Sequence, residues 1–251
     1  MEIAIETAIV PILSIVFVAT LIRSAFGFGE ALIAVPLLAF FMPLQAAAPL
    51  AVLLSITIAA IVVIQDRKQI HFRSAGWLLL ATLPGLPLGL LLLTSGHQRI
   101  VRASLGIVIV AFSCWSLTRR SSVELRHDSP AWLGACGFCA GVLGGAYGMN
   151  GPPLVVYGSL RRWSPQHFRA TLQAYFLPAS LLAMAGFRVT GLWTPVVTRD
   201  YLLSLPVLVP ALFLGRWINH RLKGEVFLQL VFAGLAAIGA VLVVQAIAGR
   251  G

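Results

Sequence analysis

Long apolar runs recur along this chain, separated by short clusters of Lys, Arg, Asn, Ser and Gly. A helix needs about 20 mainly apolar residues to cross a hydrocarbon core of about 30 Å. Windows at 46–65, 75–94, 102–118, 169–187, 201–217 and 226–246 meet or approach that length and are read as membrane-spanning helices. Two more apolar stretches, 5–41 and 131–159, are interrupted. SAFGFGE at 24–30 and GAYGMNGPP at 145–153 put Gly, Asn and Pro where a continuous helix would carry Leu or Val.

Both interruptions raise the same physical question. Inside hydrocarbon every backbone N–H and C=O needs a partner, so a non-helical turn at membrane depth is tolerated only against protein or a polar cavity. Gly27, Gly29, Gly148 and Gly151 open dihedrals closed to other residues and let a ligand approach the main chain. Pro152 suits the first turn of a following helix, where its missing N–H is not needed. Each stretch is therefore read as the tip of a helical hairpin. The second arm of the first hairpin, 31–41, would be about 16 Å long, roughly half the hydrocarbon thickness. Whether the first arm, about 7–23, crosses fully is left open by length alone.

The two tips belong to a longer repeat. Setting SAFGFGEALIAVP (24–36) under GAYGMNGPPLVVY (145–157) aligns Ala25 with Ala146, Phe26 with Tyr147, Gly27 with Gly148 and Val35 with Val156. After a slip of one residue, Pro43 meets Pro165, Ala48 meets Ala170, and Thr82-Leu83-Pro84 meets Ser204-Leu205-Pro206. The chain is read as one integral membrane domain made of two repeats, 1–121 and 122–251.

Composition agrees with this class. Of 251 residues 59% are hydrophobic and 10% charged, with a mean hydropathy of +0.94, too few charges to cover a soluble domain. The net charge of +10 does not indicate nucleic acid binding, because the Lys and Arg residues fall in short loops between spans. Glu2 and Glu6, with no early Lys or Arg, differ from the basic start of a cleaved signal peptide, so the first apolar segment is expected to stay. Cys114, Cys136 and Cys139 lie in apolar runs and are read as packing residues. No metal site or cofactor is expected. His71, His97, His127, His167 and His220 fall in or beside loops and are read as solvated.

Loop charge decides how the repeats are oriented. Four full crossings per repeat would divide Lys and Arg 9 to 8, with no bias. A hairpin that returns to its own side, followed by three crossings, gathers Arg67, Lys68, Arg73, Arg119, Arg120, Arg126, Arg161, Arg162, Arg169, Arg216, Arg221 and Lys223 on one side. The other side keeps Arg99, Arg102, Arg188, Arg199 and Arg250, with Arg23 near the first tip. The positive-inside rule favours this second arrangement. The expected fold is thus an all-α polytopic membrane protein of two inverted repeats, each a glycine-tipped helical hairpin followed by three transmembrane helices, with both termini outside the cytoplasm.

Two inverted hairpins would bring two half-helix N-termini to the membrane midplane, where free N–H groups and the positive dipole end attract an anion. The candidate binding residues are Gly27, Phe28, Gly29, Gly148, Met149, Asn150, Gly151 and Pro152 at the tips, with Arg169, Gln173 and Tyr175 from the run HFRATLQAYF. Arg169 is either a bidentate partner for an oxyanion or a positive-inside anchor at the interface. Thr171 adds a hydroxyl nearby. Glu30 and Arg23 are the candidate coupling residues: Glu30 either carries a coupling proton or caps its helix and pairs with Arg23. Gly141, Gly144 and Gly145 are read as helix-packing glycines.

The doubled pattern, GFGEALIAVPLL in the first half and GGAYGMNGPPLVVY followed by FRATLQAYF in the second, resembles the TauE/SafE family of membrane transporters, the sulfite exporters. The resemblance covers nearly the whole chain. It implies transport of sulfite or an organosulfonate, a small anion, across a bacterial inner membrane; protons are a candidate coupling ion through Glu30. Glu30 and Asn150 stand where many relatives are expected to carry Gly, so substrate and coupling ion can differ within the family. A passive anion channel shares the same site without alternating access. An intramembrane lipid-phosphate phosphatase needs clustered acids and a Ser/Arg-rich motif, and only Glu30 lies deep.

The charge asymmetry generates a direct test. Cysteines placed at Ser74, Ser122 and Ser164 should be shielded from a membrane-impermeant thiol reagent in intact cells and react after permeabilisation. Labelling from outside at these positions would defeat the inverted arrangement.

Overall fold

A computed structural model describes residues 2–66, 72–118, 129–161, 165–219 and 225–248. Among them the chain is helical throughout, with no strand: α1 (Glu2–Phe26), α2 (Glu30–Leu38), α3 (Leu44–Asp66), α4 (Phe72–Thr82), α5 (Gly85–Thr94), α6 (Gln98–Thr118), α7 (Pro130–Tyr147), α8 (Gly151–Leu160), α9 (Pro165–Val189), α10 (Pro195–Asn219) and α11 (Glu225–Ile247). Five of these helices are long and apolar enough to cross a membrane among the described residues, and α4 with α5, bent by 46° at their break, makes a sixth when the pair is counted as one span. Most of the basic loop residues counted above, the boundary at 121 and 122, and His71, His127 and His220 lie outside the described residues, as does the side chain of His167. His97 is exposed in the turn before α6.

The windows read from hydropathy correspond to these helices with one exception. The window 75–94 is two helices, because the pyrrolidine ring of Pro84 cannot continue the α4 hydrogen-bond ladder and the chain restarts at Gly85. Both interrupted stretches are broken as the glycines suggested. The hairpin arms are unequal, however. The first arms α1 and α7 have 25 and 18 residues, whereas the second arms α2 and α8 have 9 and 10. At 1.5 Å per residue α1 is about 37 Å long and α2 about 14 Å, so a long arm enters and a short one returns.

Helix neighbours follow a regular scheme. α3 packs on α9 and α6 on α11, while α1 lies against α10 and α7 against α4 and α5. Exchanging α1 for α7, α3 for α9, the α4–α5 pair for α10 and α6 for α11 reproduces these principal contacts. In lipid the apolar effect does not drive helices together, so close approach and dispersion contacts must do so. Small residues at the seams permit it. A Cβ at Gly85 or Gly89 would overlap the α7 backbone around Val142, and one at Gly141 or Gly145 would overlap the α4–α5 backbone at Thr82 and Leu86. Gly106 and Gly239 make the corresponding contact between α6 and α11. Of the three glycines read as packing residues, Gly144 differs: a Cβ there would lie 2.9 Å from the Asn150 amide, so it faces the second tip. Cys136 is buried, and Cys114 and Cys139 are exposed; all are free thiols.

Leu91, Ile107, Val209, Phe213 and Val244 project from the bundle. Such an apolar surface needs hydrocarbon around it. The glycine seam predicts a contrast. Gly145→Ala should destabilise the protein by about 1–3 kcal/mol through overpacking, seen as a lower thermal midpoint in detergent. Gly134→Ala, on the same helix with open space at its Cβ, should be neutral or slightly stabilising.

Candidate functional site

Each tip is made by the same backbone device. Gly27 (φ 84) and Gly148 (φ 66) adopt the left-handed conformation that ends α1 and α7. Their N–H groups donate back to the carbonyls of Arg23 (2.6 Å) and Gly144 (2.9 Å). This is the αL cap, which satisfies a terminal carbonyl that would otherwise be left unpaired. Gly29 also has positive φ, at 100°, and precedes α2. Gly151 does not: it is the first helical residue of α8 and needs no glycine-only dihedral, a difference from the sequence reading. It opens the second arm because Pro152 and Pro153 follow it, and proline favours the first helical turn.

The tips converge. Arg23, Phe28, Gly29 and Glu30 from the first, and Gly148, Met149, Asn150, Gly151 and Pro152 from the second, line one cavity with Ala31, Leu32, Ser55 and Phe176. Its volume is about 30 Å³, room for about two water molecules. The N-terminal turns of α2 and α8 both open onto it. Their donor content is unequal, because Pro152 and Pro153 remove two N–H groups from the start of α8. The Asn150 side chain, 4% exposed, supplies an amide donor there, and its Nδ2 has no partner.

A buried polar network closes one side. Arg23 forms an ion pair with Glu30; the two side chains are 4% and 1% exposed. Its guanidinium also donates to Ser55 Oγ (2.7 Å) and Gln173 Oε1 (3.0 Å), and lies 5.1 Å from the centre of the Phe176 ring. Gln173 Nε2 donates to the Gly27 carbonyl at 2.8 Å, tying α9 to the turn itself. Ser180 Oγ donates to Ser55 Oγ at 3.3 Å. Ser55 sits halfway along α3, and Gln173 and Ser180 flank the midpoint of α9, so the ion pair lies at half the depth of two crossing helices. Burying these charges is costly unless each is paired and hydrogen-bonded, and Arg23 meets that condition with four neighbours.

Not every candidate reaches the cavity. Gly27 and Gln173 stand behind it as supports. Tyr175 is fully buried and its hydroxyl bonds that of Thr82 at 2.7 Å. Arg169 lies in the second turn of α9, with its side chain outside the described residues. Thr171 Oγ1 is buried without a partner. Ser55 and Phe176 are cavity residues that the motifs missed. A hydroxyl in the middle of the most hydrophobic span, of mean hydropathy 2.7, was the available signal for Ser55; Phe176 gave none. Among the described residues no group of His, Cys, Asp or Glu is suited to hold a metal ion.

An all-helical bundle with long apolar helices, and a cavity between two broken-helix tips that places Arg23, Glu30, Ser55 and Asn150 among apolar walls, is the architecture of a polytopic membrane protein. Residues 12–243 match the family model described as sulfite exporter TauE/SafE, and the chain belongs to that family. It is 23% identical over 227 residues to a probable sulfite/organosulfonate exporter TauE of Cupriavidus necator, covering 89% of this chain and 88% of that protein. No solved structure matches it. The family is one of exporters, so the chain is a transport protein and not an enzyme, and the lipid-phosphate phosphatase alternative has no support.

The network predicts a thermodynamic coupling. Arg23→Met leaves the Glu30 carboxylate buried without its counter-charge and should cost about 3–5 kcal/mol. Arg23→Met combined with Glu30→Leu should recover most of that loss. Thermal unfolding of the purified single and double variants measures both.

Proposed function

We propose that this protein carries a small oxyanion, sulfite or an organosulfonate, across the bacterial inner membrane by alternating access, with the anion held between the tips of two inverted repeats, 1–121 and 122–251. The observation that carries the reading is the cavity itself. It joins two half-helix N-termini, one guanidinium and the Asn150 amide, whose Nδ2 has no partner, at half-depth of the bundle, and every one of these donors favours negative charge. The Cupriavidus necator relative, named for sulfite and organosulfonate, supports the choice of anion.

The substrate contacts proposed are the main chain at Gly29, Glu30 and Gly151, the side chains of Arg23 and Asn150, and the apolar walls of Phe28, Met149, Pro152 and Phe176. Gly27, Gly148, Gln173 and Tyr175 hold the tips in place. Arg169 is proposed to meet the anion on its way to or from the cytoplasmic side. A cavity this small is an occluded state, which opens alternately toward each membrane face as the repeats rock. The periplasmic placement of both termini follows from the charge count and completes the inverted arrangement.

Flux into liposomes containing the purified protein tests the reading. Sulfite or methanesulfonate should cross at a rate well above empty liposomes and accumulate when an ion gradient is imposed. Gly148→Val should reduce flux to background while folded protein persists, because a β-branched residue at φ 66 is strained by about 1–3 kcal/mol and its Cβ would sit 2.8 Å from Val52. Near-normal flux in this variant removes the second tip from the pathway, and flux without accumulation makes the protein a passive channel.

A further inference from the structure

Two charged side chains line the cavity between the tips, Arg23 and Glu30, and they are bonded to each other. The site is therefore neutral as it stands. Glu30 Oε2 takes the guanidinium, while Oε1, deep in the protein, has no hydrogen-bond partner. Arg23 Nε is also unpartnered. A monoanion entering this site would leave a net negative charge in a poorly solvated interior, and the helix N-termini offset only part of that cost. It would also find the guanidinium occupied by a carboxylate, the group an oxyanion most resembles. One proton on Glu30 removes both obstacles.

We propose that Glu30 is a built-in stand-in for the transported anion: it holds Arg23 in the empty site, and on protonation yields it, so that each monoanion enters together with one proton. The inference rests on the reading of the protein as an anion carrier and adds its coupling ion and stoichiometry. The step is a proton transfer and an exchange of hydrogen bonds. The proton arrives from water on a Glu30 oxygen, the Arg23 N–H groups pass from the carboxylate to the oxyanion, and the occupied cavity is neutral again. Reversal on the other side releases both.

The pair is confined to one hairpin. Gly144 and Gly151 occupy the positions aligned with Arg23 and Glu30, so the second tip carries neither charge. Glu30 is not spent as a cap, since one of its oxygens takes Arg23 and the other has no partner. Around it, α1 presents Arg23, α3 presents Ser55, and α9 reaches the pair through Gln173. Among the described residues α6 and α11, which also pack on α2, bring no charged group to bear on it, so Arg23 is the one charge its protonation works against.

Methanesulfonate is the probe, because a sulfonate keeps its single charge while a carboxylate titrates. Its Kd for the purified wild-type protein should rise with pH, approaching about tenfold per unit where Glu30 is ionised. Its uptake into liposomes should carry protons inward, read by a lumenal pH dye. E30Q, which holds the neutral form at every pH, should flatten the Kd profile and abolish the proton signal. A wild-type Kd independent of pH, with working flux and no proton movement, would overturn this inference and leave the carrier reading intact. Wild-type liposomes that pass neither sulfite nor methanesulfonate would overturn both. Should E30Q fail to fold, the wild-type profile and proton signal decide alone.

Discussion

Ending a helix inside hydrocarbon leaves backbone groups that water cannot reach, and everything distinctive in this structure follows from how that problem is met twice. At each tip a left-handed glycine turns the terminal N–H back onto the preceding helix, Gly27 to Arg23 and Gly148 to Gly144. The remaining groups must be satisfied by neighbouring protein or by whatever occupies the cavity. Gln173 meets the Gly27 carbonyl from a helix of the other half. The first turns of α2 and α8 are left lining one cavity, so the solution of a backbone problem produces the place where the proposed anion would sit.

The two tips share a backbone but not a chemistry. In the first, Arg23 and Glu30 place a full ion pair beside the helix start. In the second, the same positions are glycines, and Pro152 and Pro153 remove N–H donors that a half-helix would ordinarily offer. Asn150 provides an amide in compensation, and Gly144 is small because that amide packs on it. The cavity between the tips is therefore bordered by charge on one side and neutral dipoles on the other. This asymmetry gives two similar helical tips a polarity that their shared backbone alone would not.

Much of this was legible along the chain, and the parts that were not share a cause. Both tips, the spans and the charged pair beside the first tip were visible because they rest on local signals: apolar length, glycine and proline clusters, an ionisable residue in an apolar run. Pro84 was hidden by the strength of the Leu-rich run around it, and Gly151 was assigned a dihedral freedom that a helix N-terminus does not need. Ser55, Phe176 and the supporting role of Gln173 depend on contacts between α1, α3 and α9. Arg23 and Gln173 are 150 residues apart, and no periodicity within one helix records such a pairing. Arg169 illustrates the converse: the sequence singles it out, yet two chemically different roles fit the same position.

Depth links these features to movement. Ser55, Gln173 and Ser180 lie near the middle of α3 and α9, and the first hairpin is bonded to both helices there through Arg23 and the Gly27 carbonyl. Among the described residues the second hairpin carries no charge at these junctions: α7 lies backbone to backbone against α4 and α5 along Gly141 and Gly145, and the Tyr147 hydroxyl bonds Ser104 Oγ and the Val101 carbonyl of α6. The glycine seam is held by many small dispersion contacts and by one neutral hydrogen bond, from Thr82 Oγ1 to the Gly137 carbonyl at 3.1 Å, whereas a guanidinium can exchange one acceptor for another at little net cost. The charged, exchangeable junction is thus the one placed beside the cavity, and the seam that cannot give without losing close packing is placed away from it. A rearrangement triggered by an entering charge would begin at Arg23, because that is where an incoming acceptor competes directly with the contacts that join the first hairpin to the rest of the bundle.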